Sequence, residues 1–258
     1  MKREKSSLLF KLIKGAVRLF YPRIRVVGTE FLPGEPSVIV CNHAKMNGPI
    51  ACELYFPGQR KIWCTEEMMH TREVPAYAFH DFWSEKPKYI RWYYRILSYL
   101  IAPAASFIFN HADTIAVYRD RRIVSTLKET AGALAEGANV IIFPEHHVPH
   151  NHIVNDFQTG FVDIARLYYK MTGKEIRFVP MYLAPRLKEM VLGEPVQYRH
   201  DAPKAEERTR ICEYLMDTIT DIACGLPRHT VIPYPNLPKK EYPTNIAETE
   251  DFHEKTSR

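Results

Sequence analysis

Short apolar runs alternate with longer amphipathic stretches through most of this sequence, a pattern that predicts strands followed by helices. Two of the runs, 37–41 and 139–143, are rich in β-branched residues and uncharged, which is typical of strands buried on both faces. Amphipathic stretches such as 123–136, which Gly137 closes, predict the intervening helices. The sequence therefore predicts an α/β fold, a single domain with a mainly parallel central sheet flanked by helices.

The same pattern predicts further elements along the chain. We expect strands at 23–27, 61–65, 114–118, 176–183 and 196–198, and helices at 50–56, 68–79, 161–171 and 205–224. Because proline cannot donate a hydrogen bond to a sheet, Pro180 predicts an edge or bulged position for the strand 176–183. Beyond Gly225, five prolines predict an extended, weakly ordered tail.

Residues 1–21 combine a basic excess with apolar positions at roughly helical spacing. Against one acidic residue, Glu4, they carry Lys2, Arg3, Lys5, Lys11, Lys14 and Arg18. Such a basic amphipathic helix lies in a membrane interface, or it packs on the core with its basic face in solvent. The division that follows is an amphipathic membrane-interface helix at 1–22, an α/β domain at 23–225 and a proline-rich C-terminal tail at 226–258.

The stretch 86–110 begins with tyrosine, tryptophan, lysine and arginine and then becomes almost wholly apolar. An aromatic and basic belt before an apolar run is typical of a helix that dips into a bilayer surface. A buried core helix has the same apolar content, so both interpretations stay open. The run is too short to cross a bilayer.

Composition narrows the class of protein. The chain has 258 residues, 46% of them hydrophobic, which suits one domain with a sizeable core, and its net charge of +5 is modest. Its five cysteines show no CxxC pairing, which fits a reducing compartment. Lys11 and Lys14 interrupt the first apolar stretch, so no signal peptide is expected. We expect a protein on the cytoplasmic side of the cell membrane, peripheral or interfacially embedded, with no cofactor and no nucleic-acid partner.

Polar side chains follow several predicted strands. Asn42 and His43 come after the strand 37–41, and Arg119 ends the strand 114–118. Glu145, His146 and His147 follow the strand 139–143. Ligands bind at the carboxyl edge of open parallel sheets, and a histidine there can take a proton from a substrate hydroxyl. The alternative is that His43 only caps its turn.

Four short blocks in this order resemble the glycerolipid acyltransferase superfamily, typified by 1-acylglycerol-3-phosphate acyltransferases. That family has Asn-His followed by Asp, an apolar strand ending in Arg, Phe-Pro-Glu-Gly-Thr-Arg, and Val-Pro-Val. The counterparts here are Asn42-His43 with Gly48 in place of the aspartate, 114–119 ending in Arg119, Phe143-Pro144-Glu145 followed by His146-His147, and Val179-Pro180-Met181. The resemblance covers about residues 24–200.

The resemblance implies that His43 is a general base, which lets an acceptor hydroxyl attack an acyl thioester. The family's aspartate holds the histidine tautomer, and Gly48 cannot do so. Candidate substitutes are Asn47, which can orient the ring, and Glu145, which can supply charge if the two strand ends are neighbours.

The remaining blocks are where the family binds its acceptor. By resemblance, we expect the substrate to contact Asn42, Arg119, Phe143, Pro144, His146, His147, Val179 and Pro180. Guanidinium pairs well with phosphate, which keeps a phosphate-binding role open for Arg119. His146 and His147 replace the residues of the family's phosphate cradle, so the acceptor need not carry a phosphate.

Residues 145–156 form a cluster of possible metal ligands, because Glu145, four histidines and Asp156 lie close together in the sequence. Imidazole and carboxylate groups bind zinc or iron, although this spacing matches no closed metal site. The alternative is a polar loop that lines the active site, and we expect no bound metal.

Together these features favour a membrane-associated O-acyltransferase that moves a fatty acyl group from acyl-CoA or acyl-carrier protein to a lipid or lysolipid hydroxyl. A catalytically impaired lipid-binding protein and a histidine-rich metal-dependent hydrolase are the alternatives.

Overall fold

A computed structural model describes residues 7–84 and 86–246. Within these ranges the α-helices are α1 (Leu8–Phe20), α2 (Asn47–Tyr55), α3 (Val74–Ala78), α4 (Arg91–His111), α5 (Ile123–Ala135), α6 (Ile164–Thr172) and α7 (Lys204–Gly225). The strands are β1 (Arg25–Val27), β2 (Val38–Cys41), β3 (Arg60–Thr65), β4 (Thr114–Val117), β5 (Asn139–Ile142), β6 (Glu145–Pro149), β7 (Asn155–Phe157), β8 (Arg177–Ala184), β9 (Glu189–Leu192) and β10 (Val196–Gln197).

The main sheet has eight strands, in the order β1-β9-β8-β2-β5-β3-β4 with β10 beside β8. Strands β8, β2, β5, β3 and β4 are parallel to one another. Strands β9 and β10 pair antiparallel with β8, β1 is parallel to β9, and β6 and β7 form a separate small sheet. The predicted fold class, α/β with a mainly parallel central sheet flanked by helices, is confirmed.

The two faces of the sheet pack on different helices. Successive residues of a strand point to opposite faces, so Val38 and Val40 of β2 join a core with α5, α6 and α7. Ile39 and Cys41 join a second core with α2 and residues near β1. All four side chains are inaccessible to solvent, which explains why this strand is apolar without interruption.

Strand β8 lies inside the sheet, so the edge position predicted from Pro180 is wrong. Pro180 pairs with Val40 of β2, and β9 lies on the other side of β8. The Pro180 carbonyl accepts the N–H of Gly193 (2.9 Å), one residue after β9 ends at Leu192. The N–H and C=O of one residue point to the same side of a strand, so the N–H that Pro180 lacks would point towards β9. Its partner there would be Gly193, which lies beyond the end of β9, so no hydrogen bond within β9 is lost.

The segment 226–246, here called the strap, packs against the domain, so the predicted weak order is wrong for these residues. The buried Asn245 side-chain amide donates to the carbonyls of Ala223 (2.8 Å) and Leu226 (3.0 Å) at the end of α7. Its Oδ1 accepts the N–H of His229 (2.8 Å), and an isolated bridge joins Thr230 to Thr244. The rest of the predicted tail, 247–258, lies outside the described residues.

Two helices expose apolar surface. Helix α1 is capped by the Ser7 hydroxyl and buries Phe10, whereas most of its other large apolar side chains are exposed. Helix α4 buries small residues such as Ala102 and exposes Trp92 to 65%, so the fully buried interpretation is wrong. No helix within the described residues is long and apolar enough to cross a membrane. The first six residues of the predicted amphipathic helix lie outside the described ranges.

Candidate active site

The turn after β2 carries His43 and is fixed on both sides. The Asn42 Oδ1 accepts the N–H of Leu183 (2.7 Å), and its Nδ2 donates to the Leu183 carbonyl (3.2 Å), which ties the turn to β8. Ala44 and Lys45 then adopt φ angles of 44° and 55°. This left-handed region is disfavoured for residues with a Cβ, and such strain clusters at functional sites.

Glu145 contacts His43, because the carboxyl ends of the paired strands β2 and β5 are neighbours. Its Oε2 accepts the backbone N–H of His43 (2.6 Å), and its Oε1 accepts the N–H of Asn155 (3.0 Å). Burial raises the pKa of Glu145 to about 7, against the two N–H groups that favour the ionised form. Both oxygens bind the main chain, so Glu145 positions the turn; the expected charge contact with the imidazole is not the one observed.

The half-buried His43 ring lies among aromatic side chains. Its centroid is 5.2 Å from that of Phe143 and 5.7 Å from that of Tyr234. Burial lowers the pKa of His43 below its usual 6.5, and the Asp81 carboxylate opposes this shift. The imidazole is therefore neutral at pH 7 and able to accept a proton.

The charge of the Asp81 carboxylate raises the pKa of His43, and sequence reasoning missed this residue. It lies in the π-helical turn Phe79–Trp83, after α3, and its charge also acts on Tyr77 and Tyr234. Its backbone carbonyl accepts the Asn236 side-chain amide, which joins this turn to the strap. Asp81 belongs to no recognisable block and ends no strand, so only its place in the fold reveals it.

Two tyrosines and one arginine share this region. Burial raises the pKa of both Tyr77 and Tyr234, while the charge of Arg119 lowers it. The phenols therefore stay protonated and can donate hydrogen bonds. Arg119 follows β4 and is exposed, so its guanidinium is available to an anionic or hydroxylated ligand. Tyr234 comes from the strap and was not among the predicted site residues.

Asn47 and Gly48 shape the turn from the start of α2. The Asn47 Nδ2 donates to the Ala44 carbonyl (3.0 Å), and its Oδ1 accepts the Tyr21 hydroxyl (3.2 Å). These bonds hold the main chain, which differs from the expected role of orienting the ring. A Cβ at Gly48 would overlap the His43 carbonyl oxygen and lie 2.8 Å from Phe143 Cε1. An aspartate at position 48 has no room here.

Gly48→Ala is expected to destabilise the protein by about 1–3 kcal/mol, because the added methyl group must displace backbone or a packed ring. Acyl transfer should fall with it, since the displaced atoms belong to His43. Gly132→Ala in α5 is the matched control, because its Cβ would meet no atom within 4 Å. Denaturant unfolding measures both; equal stabilities for the two variants would contradict the close approach.

Val179 and Pro180, which the resemblance assigns to substrate binding, lie inside the sheet. They pair with Ile39 and Val40, whereas β8 continues to Ala184 before it reaches the edge that carries His43. Later residues of β8 therefore form the strand end beside the site. Leu183, which binds Asn42, is the β8 residue that contacts the site turn.

The third block lines the site with its aromatic and histidine side chains. The buried Pro144 accepts the N–H of Gln158 (2.9 Å) through its carbonyl, which fixes the loop beside Phe143. His146 Nδ1 accepts the N–H of Val148 (3.3 Å). His147 is exposed, and its ring centroid is 5.6 Å from that of Tyr234.

The later histidines of the loop bind protein groups. His150 lies between the carboxylates of Asp156 (3.4 Å) and Asp217 (3.3 Å). His152 Nε2 is 3.3 Å from the carbonyl oxygen of Asn245 in the strap. Within residues 7–84 and 86–246, no three His, Cys, Asp or Glu side chains form a group that could hold a metal ion.

The chain has a structural likeness to a known acyltransferase. No protein-family model matches the chain, and no curated protein sequence matches it. The crystal structure of the 1-acyl-sn-glycerophosphate acyltransferase PlsC from Thermotoga maritima aligns with a TM-score of 0.48 at 17% sequence identity. The alignment covers 85% of this chain and 81% of that one.

Proposed function

We propose that this protein is an O-acyltransferase, which moves a fatty acyl group from a thioester of coenzyme A or acyl-carrier protein to a lipid or lysolipid hydroxyl. The observation that carries the proposal is the setting of His43. A neutral imidazole stands on a strained turn at the carboxyl edge of a parallel sheet, and the side chains of Asn42 and Glu145 fix that turn.

The chemistry follows from this neutral histidine. His43 takes the proton of the acceptor hydroxyl as its oxygen attacks the thioester carbonyl carbon. The tetrahedral intermediate then collapses, the carbon–sulfur bond breaks, and the imidazolium returns the proton to the departing thiolate. Asp81 stabilises the imidazolium through its charge, and so replaces the aspartate that Gly48 excludes.

The acceptor binds beside the histidine, on the side of Arg119 and the phenols. Arg119 and the protonated hydroxyls of Tyr77 and Tyr234 are donors, which suits an acceptor headgroup rich in oxygen. His147, next to Tyr234, replaces part of the family's phosphate cradle. A hydroxylated headgroup therefore fits as well as a phosphate.

The rival proposal is a lipid-binding protein of the same fold without activity. The argument for it from the sequence is the loss of the aspartate at position 48, and the charge that Asp81 exerts on His43 weakens that argument. Purified protein should be assayed for thiol release from acyl-CoA and acyl-carrier protein with a panel of lysolipid and hydroxylated lipid acceptors. Acceptor-dependent release that His43→Ala abolishes supports the enzyme. Acceptor binding without release from any donor supports the binding protein.

Membrane association is part of the proposal. Leu19 and Phe20 at the end of α1 are 79% and 85% exposed, and α4 exposes Trp92 and Leu100. Apolar surfaces of this kind on helices with basic and aromatic residues suit the interface of a bilayer. We place the protein peripherally or interfacially embedded on the cytoplasmic side of the cell membrane.

The double substitution Leu19→Ser with Phe20→Ser is expected to weaken sedimentation with anionic vesicles about tenfold or more, because two large apolar side chains no longer enter the acyl region. Met171→Ser is the control, since this exposed residue of α6 is on the opposite face of the sheet from α2. Equal binding by the double variant and wild type would assign α1 to packing alone.

A further inference from the structure

A groove of about 560 Å³ opens beside the C-terminal end of α1, apart from the residues that surround His43. Arg18 of α1, residues 23–26 at the start of β1, and Leu54 and Tyr55 at the end of α2 line it. Three of these residues are arginines. The groove therefore combines an apolar floor with a basic rim.

The net charge of the groove is positive. Arg25 forms an ion pair with Glu189, and the Arg18 guanidinium lies 5.8 Å from the Tyr55 ring centroid. Arg23 is exposed, and it has no ion-pair partner among the residues that the structure describes. Glu189 neutralises one of the three guanidinium groups, which leaves two positive charges. The C-terminal ends of α1 and α2 both lie at the groove, and their partial negative charges, about half a unit each, leave roughly one net positive charge.

An anion would complement the positive charge of this groove. A phosphomonoester carries about 1.5 to 2 negative charges at pH 7, and its oxygens suit the fork of a guanidinium group. The groove also has an apolar part formed by Ile24, Val26 and Leu54. The exposed Leu19 and Phe20 lie in the chain between two of its arginines, Arg18 and Arg23. A free phosphate would contact only the arginines, whereas a lipid headgroup and its acyl chains would use both kinds of surface.

We propose that this groove is a binding site for the phosphomonoester headgroup of an anionic lipid, formed by Arg18 and Arg23 with the Glu189-paired Arg25 beside them, while Leu19 and Phe20 enter the acyl region. The site shares no lining residue with the groups around His43. The inference rests on the proposed membrane association and is independent of the proposed acyl transfer.

The test is sedimentation of the full-length chain with vesicles. Three compositions are compared: phosphatidylcholine alone, and phosphatidylcholine mixed with phosphatidate or with phosphatidylglycerol, the two mixtures adjusted to equal surface potential. Wild type should prefer the phosphatidate vesicles. Arg23→Gln should weaken binding to them about tenfold and remove the preference, because a charge-assisted contact to the headgroup is lost.

Lys11→Gln is the matched control, because it removes one exposed positive charge from α1 outside the groove. It should weaken binding to both anionic mixtures about fivefold, as general attraction predicts, and keep the preference for phosphatidate. Inorganic phosphate in the buffer separates the two sources of the anion. Failure of millimolar phosphate to displace the protein supports a lipid ligand.

Four results would overturn the inference. Equal binding of wild type to the two charge-matched mixtures would leave only diffuse attraction, and the membrane proposal would stand without the site. Equal losses of vesicle binding in Arg23→Gln and Lys11→Gln would likewise show only diffuse attraction and no specific site. Displacement by inorganic phosphate, with no preference for phosphatidate, would assign the groove to the free anion. Failure of wild type to bind any vesicle would reject the membrane proposal as well.

Discussion

Replacement of His43 by alanine is expected to slow acyl transfer by about 100-fold or more, because the acceptor hydroxyl loses the only group that the proposal gives it as a base. The fold should persist, since Asn42 and Glu145 hold the turn through bonds that do not involve the imidazole ring. Initial rates of thiol release at saturating acceptor measure the effect.

His200→Ala is the control for this variant. His200 follows β10, which pairs with the first residues of β8, and so it lies at the opposite end of the sheet from His43. Its rate should match that of wild type. A folded His43→Ala protein with near wild-type turnover would remove His43 from the mechanism, and another residue would have to act as the base.

Asp81→Asn is expected to lower the transfer rate at least about tenfold, because the imidazolium formed in the transition state loses its nearby negative charge. The Asp81 carboxylate raises the pKa of His43 against the effect of burial. Its removal should therefore lower that pKa further. The acid limb of kcat/KM, where His43 becomes protonated and inactive, should move to lower pH.

This shift of the acid limb separates a charge effect from a loss of structure, which would lower the rate without moving the limb. Asp201→Asn, which alters an exposed carboxylate after β10, is the control and should keep both the rate and the pH profile. An unchanged acid limb in Asp81→Asn would show that the carboxylate does not act on His43, and Glu145 would again be the candidate.

The parallel sheet and the neighbourhood of His43 and Glu145 could be predicted from the sequence because they depend on local pattern. Uninterrupted β-branched runs at 37–41 and 139–143 require two-sided burial, and parallel strands bring their carboxyl ends to one edge. The partner atom could not be predicted in this way. Whether a carboxylate meets the ring or the backbone of a neighbour depends on the loop geometry after β5, which no periodicity specifies.

Asp81 and Tyr234 could not be predicted for a different reason. Each enters the site through the path of an irregular segment, the turn after α3 and the strap, whose position depends on long-range contacts. The prolines of the strap limit its backbone angles, but they do not show that Asn245 anchors it to α7. The edge position predicted from Pro180 is wrong for a similar reason. A proline fits inside this sheet only because β9 ends beside it, which the sequence of β8 does not show.

The strap has a consequence for the order in which the site is completed. A ribosome makes residues 226–246 only after every strand of the sheet and every helix from α1 to α7. A nascent chain can therefore place His43 on its turn well before Tyr234 reaches the ring and Asn236 reaches the Asp81 turn. The turn that carries the histidine can form once β8 has been made, and the side chain that covers this histidine arrives later.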